Sequence, residues 1–152
     1  MADRDEQFVM VYPGEQFVKS AGEYRIQPSD PEDYRKLVLE AGGNGSHLKG
    51  IIHLWNLDAA DMQDAAPETL RQAELLGSIS VLHVVQALVG FSWKTAPRLW
   101  VMTRNAQNIV NDDGAIHVLQ APVWGLGKVI NQLEHRDIKG GLIDLDPLPD
   151  AW

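Results

Sequence analysis

The stretch GIIHLWNLD carries a near-continuous apolar run from Ile51 to Leu57. A half-exposed strand alternates apolar and polar residues. An unbroken run instead asks for burial on both faces, as in a parallel sheet covered by helices. QFVMVYPGE, closed by Pro13-Gly14, RLWVMTRN and GGLIDLDP read as further strands, and EYRIQP as a short one ended by Pro28. Helical patterns fall between them. In SDPEDYRKLVLEAGG, Asp30 stands at the N-cap and Pro31 at the first helical position. Glu32 and Asp33 favour the positive end of the helix dipole, and Gly42-Gly43 ends the element. Tyr34, Leu37 and Val38 give that helix its apolar face. From Pro67 to about Leu88, Leu70, Ala73, Leu76, Ile79, Val81, Leu82, Val84 and Val85 continue a long helical pattern. APVWGLGKVINQLEH opens a last helix near Pro122. DAADMQDAAP and GFSWKTAP read as loops, and NAQNIVNDDGAIHVLQ as a polar connection with a small strand at its end. Alternating strands and helices predict an α/β fold with a mostly parallel sheet. Right-handed crossovers would place helices on both faces, in three layers.

The 152 residues are read as one domain, 1–152, large enough for a core. Asp and Glu number 21 against 13 Lys and Arg, so the formal charge is −8. Such a surface repels a phosphate backbone, and no basic stripe offsets it, which argues against nucleic-acid binding. The chain has no cysteine, so disulfides, zinc–thiolate sites and cysteine nucleophiles are excluded. The acidic start MADRDEQ does not read as a signal peptide, and no apolar run approaches the roughly 20 residues of a membrane span. A cytoplasmic protein is expected.

Catalytic patterns fail one after another. Gly127-Lys128 ends like a Walker loop, but Pro122 stands where the first glycine belongs and Val129 where the hydroxyl belongs. Gly125 and Gly127 begin a dinucleotide pattern, but Ile130 occupies its third glycine position. The glycines are instead expected to let the helix lie close to a strand. Gly42, Gly43 and Gly45 follow a helix, so they cannot present a strand–helix turn to a pyrophosphate. A reductase Tyr-x-x-x-Lys pair would set both side chains on one helix face. Tyr12, Tyr24 and Tyr34 are followed at that spacing by Gln16, Pro28 and Val38. His47, His53, His83, His117 and His135 show no metal-ligand spacing. His53, inside a hydrophobic strand, reads as a hydrogen-bonded core residue. Asp144 and Asp146 form the best local candidate for a metal or ribose, but with no third ligand nearby in sequence they read as capping and turn residues. Trp55, Trp93, Trp100, Trp124 and Trp152 read as core or interface anchors.

Six stretches, in order, resemble the ketoreductase region of modular polyketide synthases. They are YRIQPSDPEDYRKLV, GIIHLWNLD, SVLHVVQAL, PRLWVMTRNAQ, APVWGLGKVINQLEH and GGLIDLD, and the likeness runs from about Gln7 to Asp146. That family is built from two Rossmann-like halves. The second binds NADPH and carries catalytic Ser, Tyr and Lys; the first is a truncated, non-catalytic structural half. All six stretches fall in the first half. The resemblance therefore implies no catalytic, cofactor-binding or metal residue in this chain. It implies a structural subdomain that supports NADPH-dependent reduction of carrier-bound β-keto intermediates by the other half. Its partners would be that half and neighbouring synthase domains. The helix from Pro67 to Leu88 and the Trp124 helix are the candidate contact elements. A stand-alone nucleotide-binding or interaction protein is the alternative.

One departure carries a structural expectation. The family's structural half opens with one more strand and helix, for which the few residues before FVMVYPGE leave no room. Losing a central strand leaves two neighbours with unpaired edges. A rearranged sheet, or pairing with a second copy of the chain, is expected.

Overall fold

The computed structural model describes residues 8–42, 48–59, 66–107 and 116–146. Among the described residues, six strands fall into two three-stranded sheets. In the first, β1 (Met10–Pro13) pairs parallel with β3 (Glu23–Ile26), and β2 (Val18–Ser20) pairs antiparallel with β3. The β2–β3 turn passes through Gly22 at φ 80°, a conformation a side chain resists. β2 is too short for its periodicity to be read. In the second sheet, β4 (Gly50–His53), β5 (Arg98–Arg104) and β6 (Lys139–Leu145) are parallel in the order β4-β5-β6. Three of the four strand pairings are thus parallel. The described strands thus divide into two sheets.

The Ile51–Leu57 run is corrected in two ways. The strand stops at His53, and Trp55–Asp58 forms a 3₁₀ turn. Leu57 N–H donates to the Leu54 carbonyl at 2.9 Å, and the Trp55 indole donates to the Val11 carbonyl at 3.2 Å, tying β1 to the end of β4. Nor is the run buried on both faces. His53 is 6% exposed but Ile52 is 56% exposed, because β4 is an edge strand among the described residues. Alternation continues across the sheet. Leu99, Val101 and Thr103 are buried, whereas Ile143, in register with Met102 on the opposite face, is exposed.

The helices follow their sequence signals. In α1 (Pro31–Gly42) the Asp30 carboxylate accepts the Glu32 amide at 2.9 Å, and the Asp33 carboxylate accepts the Gln27 amide at 2.9 Å. The first bond occupies a donor that a helix N-terminus leaves free, and the second ties the residue after β3 to the first turn of the helix. Tyr34 and Val38 are buried, and the Tyr34 hydroxyl donates to the Pro28 carbonyl at 3.0 Å. α2 (Pro67–Glu74) continues through a π turn at Leu75–Ile79 into α3 (Ser80–Val89). Pro122 opens α4 (Pro122–Val129), which is prolonged by a second π turn to Glu134. The expected small strand before it is instead a 3₁₀ turn, Val118–Gln120. Gln120 explains the change: its side-chain carbonyl accepts the Arg104 amide at 2.8 Å, which holds the segment against the end of β5.

The core lies between these helices and one face of β4–β6. It joins Tyr34 and Val38 to Val81, Val84, Val85 and Leu88, and both groups to Leu99, Val101, Val123 and Ile130. Each such aliphatic side chain contributes roughly 1.5–3 kcal/mol on burial. The helical stretch Pro67–Val89 spans 23 residues, and an 18-residue window of it has a mean hydropathy of 1.4, sufficient by length and composition to cross a membrane. Half of that window is buried inside the fold, as befits a core helix.

Candidate functional site

In open α/β sheets, ligands bind beyond the carboxyl ends of the strands. Here those ends hold two clusters of polar side chains. The first is at the end of β4. His53 Nε2 lies 2.7 Å from Ser80 Oγ, and His53 Nδ1 lies 3.3 Å from the Asn56 amide nitrogen. Ser80 Oγ in turn donates to the Leu76 carbonyl at 2.6 Å, with the Gly77 carbonyl at 3.0 Å. All three side chains are buried. Burial pushes the His53 ring down to about 4, against a smaller opposing effect of a backbone hydrogen bond. At neutral pH the ring is therefore uncharged. The arrangement has the residue types of a Ser-His-Asn triad but not its chemistry. The serine proton is committed to a helix carbonyl, and no substrate reaches a hydroxyl that is fully buried. His53 is the hydrogen-bonded core residue its strand position predicts.

The second cluster closes the ends of β5 and β6. Asp144 Oδ1 accepts the Thr103 hydroxyl at 2.7 Å and the Ala106 amide at 3.0 Å, and Oδ2 accepts the Gln107 amide at 2.9 Å. Between them Asn105 takes φ 51°, a left-handed residue that turns the chain out of the strand. The Trp124 indole donates to Thr103 Oγ at 3.0 Å. Asp144 therefore works as a loop cap, while Asp146 is exposed and joins none of these bonds. The pair does not converge on a metal or a ribose, and the described residues contain no group of three or more His, Cys, Asp or Glu fit for a metal.

The Gly-Leu-Gly-Lys stretch lies inside α4, not in a loop. A Cβ on Gly127 would strike the Leu142 side chain of β6, so this glycine permits the expected close approach. Gly125 faces open space and does not. Lys128 is exposed on the same helix. Trp124 is anchored inward on Thr103, the core alternative of its reading as a core or interface anchor.

The remaining singled-out residues also have places in the fold. Tyr24 donates to Glu40 at 3.3 Å, and Tyr12 lies beneath the Arg25 guanidinium, 5.6 Å from the ring centroid. Burial, then the Asp33 charge, raises the Tyr34 hydroxyl above the ordinary tyrosine range, so it stays protonated. His83 meets the Tyr34 ring edge-on at 5.3 Å and lies 3.3 Å from the Pro28 carbonyl. The Trp93 indole donates to the Leu88 carbonyl at 2.7 Å. His47, Gly43, Gly45 and Trp152 lie outside the described residues.

What the surface offers is a groove between α3 and the α4 stretch. Leu82, Val85, Val89, Leu126, Val129 and Ile130 line it, with Glu134 and His135 beside them. Leu82, Val89 and Val129 are each at least 40% exposed, enough to leave an apolar strip on two adjacent helices. A second, shallow depression is lined by Asp58, Glu68, Thr69 and Gln72 together with Ala59, Ala73 and Leu76.

The family described as Beta-ketoacyl synthase-like, N-terminal, matches residues 1–112. Polyketide synthase GfsB of Streptomyces halstedii is 40% identical over 103 residues, which cover 68% of this chain and 2% of that protein. Pikromycin polyketide synthase component PikAII of Streptomyces venezuelae is 35% identical over 103 residues, covering 66% of this chain and 2% of that protein. The chain thus spans a small part of the synthases it matches. Among solved structures, an adenylation, ketoreductase and pseudo-Asub multidomain structure of a keto acid-selecting NRPS module superimposes with a TM-score of 0.82 at 26% identity. That match covers 99% of this chain and 12% of the other. An N-terminal ketoreductase from the macrolactin assembly line shares the fold, with a TM-score of 0.67 at 18% identity over 93% of this chain and 27% of the other. By its truncated Rossmann-like α/β fold it is similar to the ketoreductase regions of such multidomain synthases, and the chain belongs to the beta-ketoacyl synthase-like N-terminal family.

Proposed function

We propose that this chain is a non-catalytic structural subdomain, one domain over 1–152, that supports an NADPH-binding catalytic half in the reduction of carrier-bound β-keto intermediates. The observation that carries the reading is the state of the two strand-end clusters. His53, Asn56 and Ser80, and likewise Asp144, Thr103 and Trp124, spend their hydrogen bonds on one another and on the backbone. A site built to bind substrate keeps polar groups free to converge on it. No catalytic, cofactor-binding or metal residue is assigned in this chain.

The contact with the catalytic half falls on the α3–α4 groove, where Leu82, Val89 and Val129 are exposed. Helix pairs bury such strips against other helices. The open edge of β4 is a second contact place, for another strand of the synthase or of a second copy. Neither nucleic acid nor a membrane is a partner, and the parent enzyme is cytoplasmic.

Titration of the ¹⁵N-labelled chain with NADPH tests the first claim. Dispersed amide peaks that ignore NADPH are expected; saturable shifts would show a nucleotide site in this chain. Adding the catalytic half should shift the amides of Leu82, Val89 and Val129. Shifts confined to β4 would move the interface to the sheet edge.

A further inference from the structure

The His53 cluster sits on an irregularity of the long helix. Leu75–Ile79 forms a π turn, which carries one residue more than the α-helical turn it replaces. Ser80 follows it directly and bonds two of its carbonyls, those of Leu76 and Gly77. Asn56 Oδ1 presses on the same turn: a Cβ added to Gly77 would stand 2.8 Å from it.

The distances assign every proton in the chain of bonds. Two oxygens 2.6 Å apart, Ser80 Oγ and the Leu76 carbonyl, need a proton between them, and only the hydroxyl has one. Ser80 Oγ must then accept from His53, so Nε2 carries the ring proton. Nδ1 is left bare, as an acceptor for the Asn56 amide. The order of donation is Asn56 to His53 to Ser80 to Leu76.

A second proton on the ring has one place to go, Nδ1, which faces the NH₂ of Asn56. Donor would meet donor. Relief requires the Asn56 amide to turn over, which presents its NH₂ to Gly77 in place of the oxygen now lying there. We propose that His53, Asn56 and Ser80 form a latch that holds the π turn, and that proton uptake by His53 opens it. The start of α3 moves with the turn, and with it Leu82, Val85 and Val89 on the groove. The ring's other neighbour is the Trp55 ring at 5.7 Å, with Val101 in register on β5. Among the described residues no carboxylate, ammonium or guanidinium bonds the ring or acts on its titration. A backbone hydrogen bond of His53 itself favours the charged form, but by less than burial opposes it.

Ring-nitrogen and amide spectra of the 152-residue chain between pH 7.5 and 4 test the proposal. At pH 7.5 His53 should show a protonated Nε2 and a bare Nδ1. Below about pH 5 the His53 ring and the amides of Leu75 to Ser80 should shift together with one midpoint, before those of Val101 and Val123 report unfolding. Asn56→Asp offers the second ring proton an acceptor and should raise that midpoint by about one unit or more. His53→Gln should abolish the step. A ring protonated on Nδ1 at pH 7.5, a midpoint near the ordinary histidine value, or π-turn amides that move only with global unfolding would each overturn it.

Discussion

The clusters at the ends of β4 and of β5–β6 occupy equivalent places in one sheet, yet they hold the fold in different ways. His53, Asn56 and Ser80 are fully desolvated and uncharged at neutral pH, and they join a strand to a helix. Asp144 is half-buried and charged, and it joins a strand to the turn that leaves its neighbour. The first substitutes for packing between β4 and the helix. The second supplies acceptors to backbone amides that a left-handed turn has removed from the ladder. A neutral cluster is sensitive to protons and a loop cap to loss of its acceptors. Neither leaves a group free for a substrate.

The largest expected effect tests the loop cap. Asp144→Ala removes three accepted hydrogen bonds, two of them from backbone amides. The expected cost is about 3 kcal/mol in urea unfolding, since bonds to a carboxylate are among the stronger ones. A loss below about 1 kcal/mol would mean that water replaces the carboxylate at no cost and that the two clusters differ less than argued.

Acid should strike the other cluster. The His53 pKa is lowered by burial in the folded chain, to about 4, from its ordinary value of 6.5. Its stabilising share is thus complete above pH 6.5 and is lost as pH falls from there towards 4, because the unfolded chain takes up the proton first. Between pH 8 and pH 5 that amounts to about 2 kcal/mol. Paired urea curves should show the drop in the wild type and not in His53→Gln. Parallel pH profiles would remove His53 as the cause.

The smallest effects separate two glycines of one motif. Gly127→Ala forces a methyl group into Leu142 and should cost about 1–2 kcal/mol. Gly125→Ala meets open space and should stabilise by about 0.5–1 kcal/mol, through helix propensity alone. Equal thermal shifts would show that α4 is not seated on β6 through Gly127, and that the Trp124–Thr103 bond lacks the support assigned to it.

Much of this was legible before any tertiary structure. His53 reads as a hydrogen-bonded core residue because a histidine within an apolar strand must be desolvated. Asp144 reads as a cap or turn residue for want of neighbouring ligands. Their partners were not legible. Ser80 is 27 residues from His53, and Asp144 is 37 and 38 residues from the amides it accepts. No local pattern encodes such pairs. The end of β4 was misplaced for a similar reason. Trp55 and Leu57 are apolar enough to extend a strand, but the Trp55 indole finds its acceptor on β1, 44 residues earlier.

By itself the sequence determined the alternation of strands and helices, the starts of the helices at Pro31, Pro67 and Pro122, and the family to which they belong. These rest on capping, proline geometry and periodicity, which act within a turn or two of chain. Tertiary structure decided that the strands divide into two sheets, that Ile52 faces outward, that Trp124 points inward, and that Gly127 matters where Gly125 does not. Each of those outcomes depends on what a residue meets across the core. The same apolar side chain or glycine reads alike along the chain whether its neighbour in space is a strand, a helix or water.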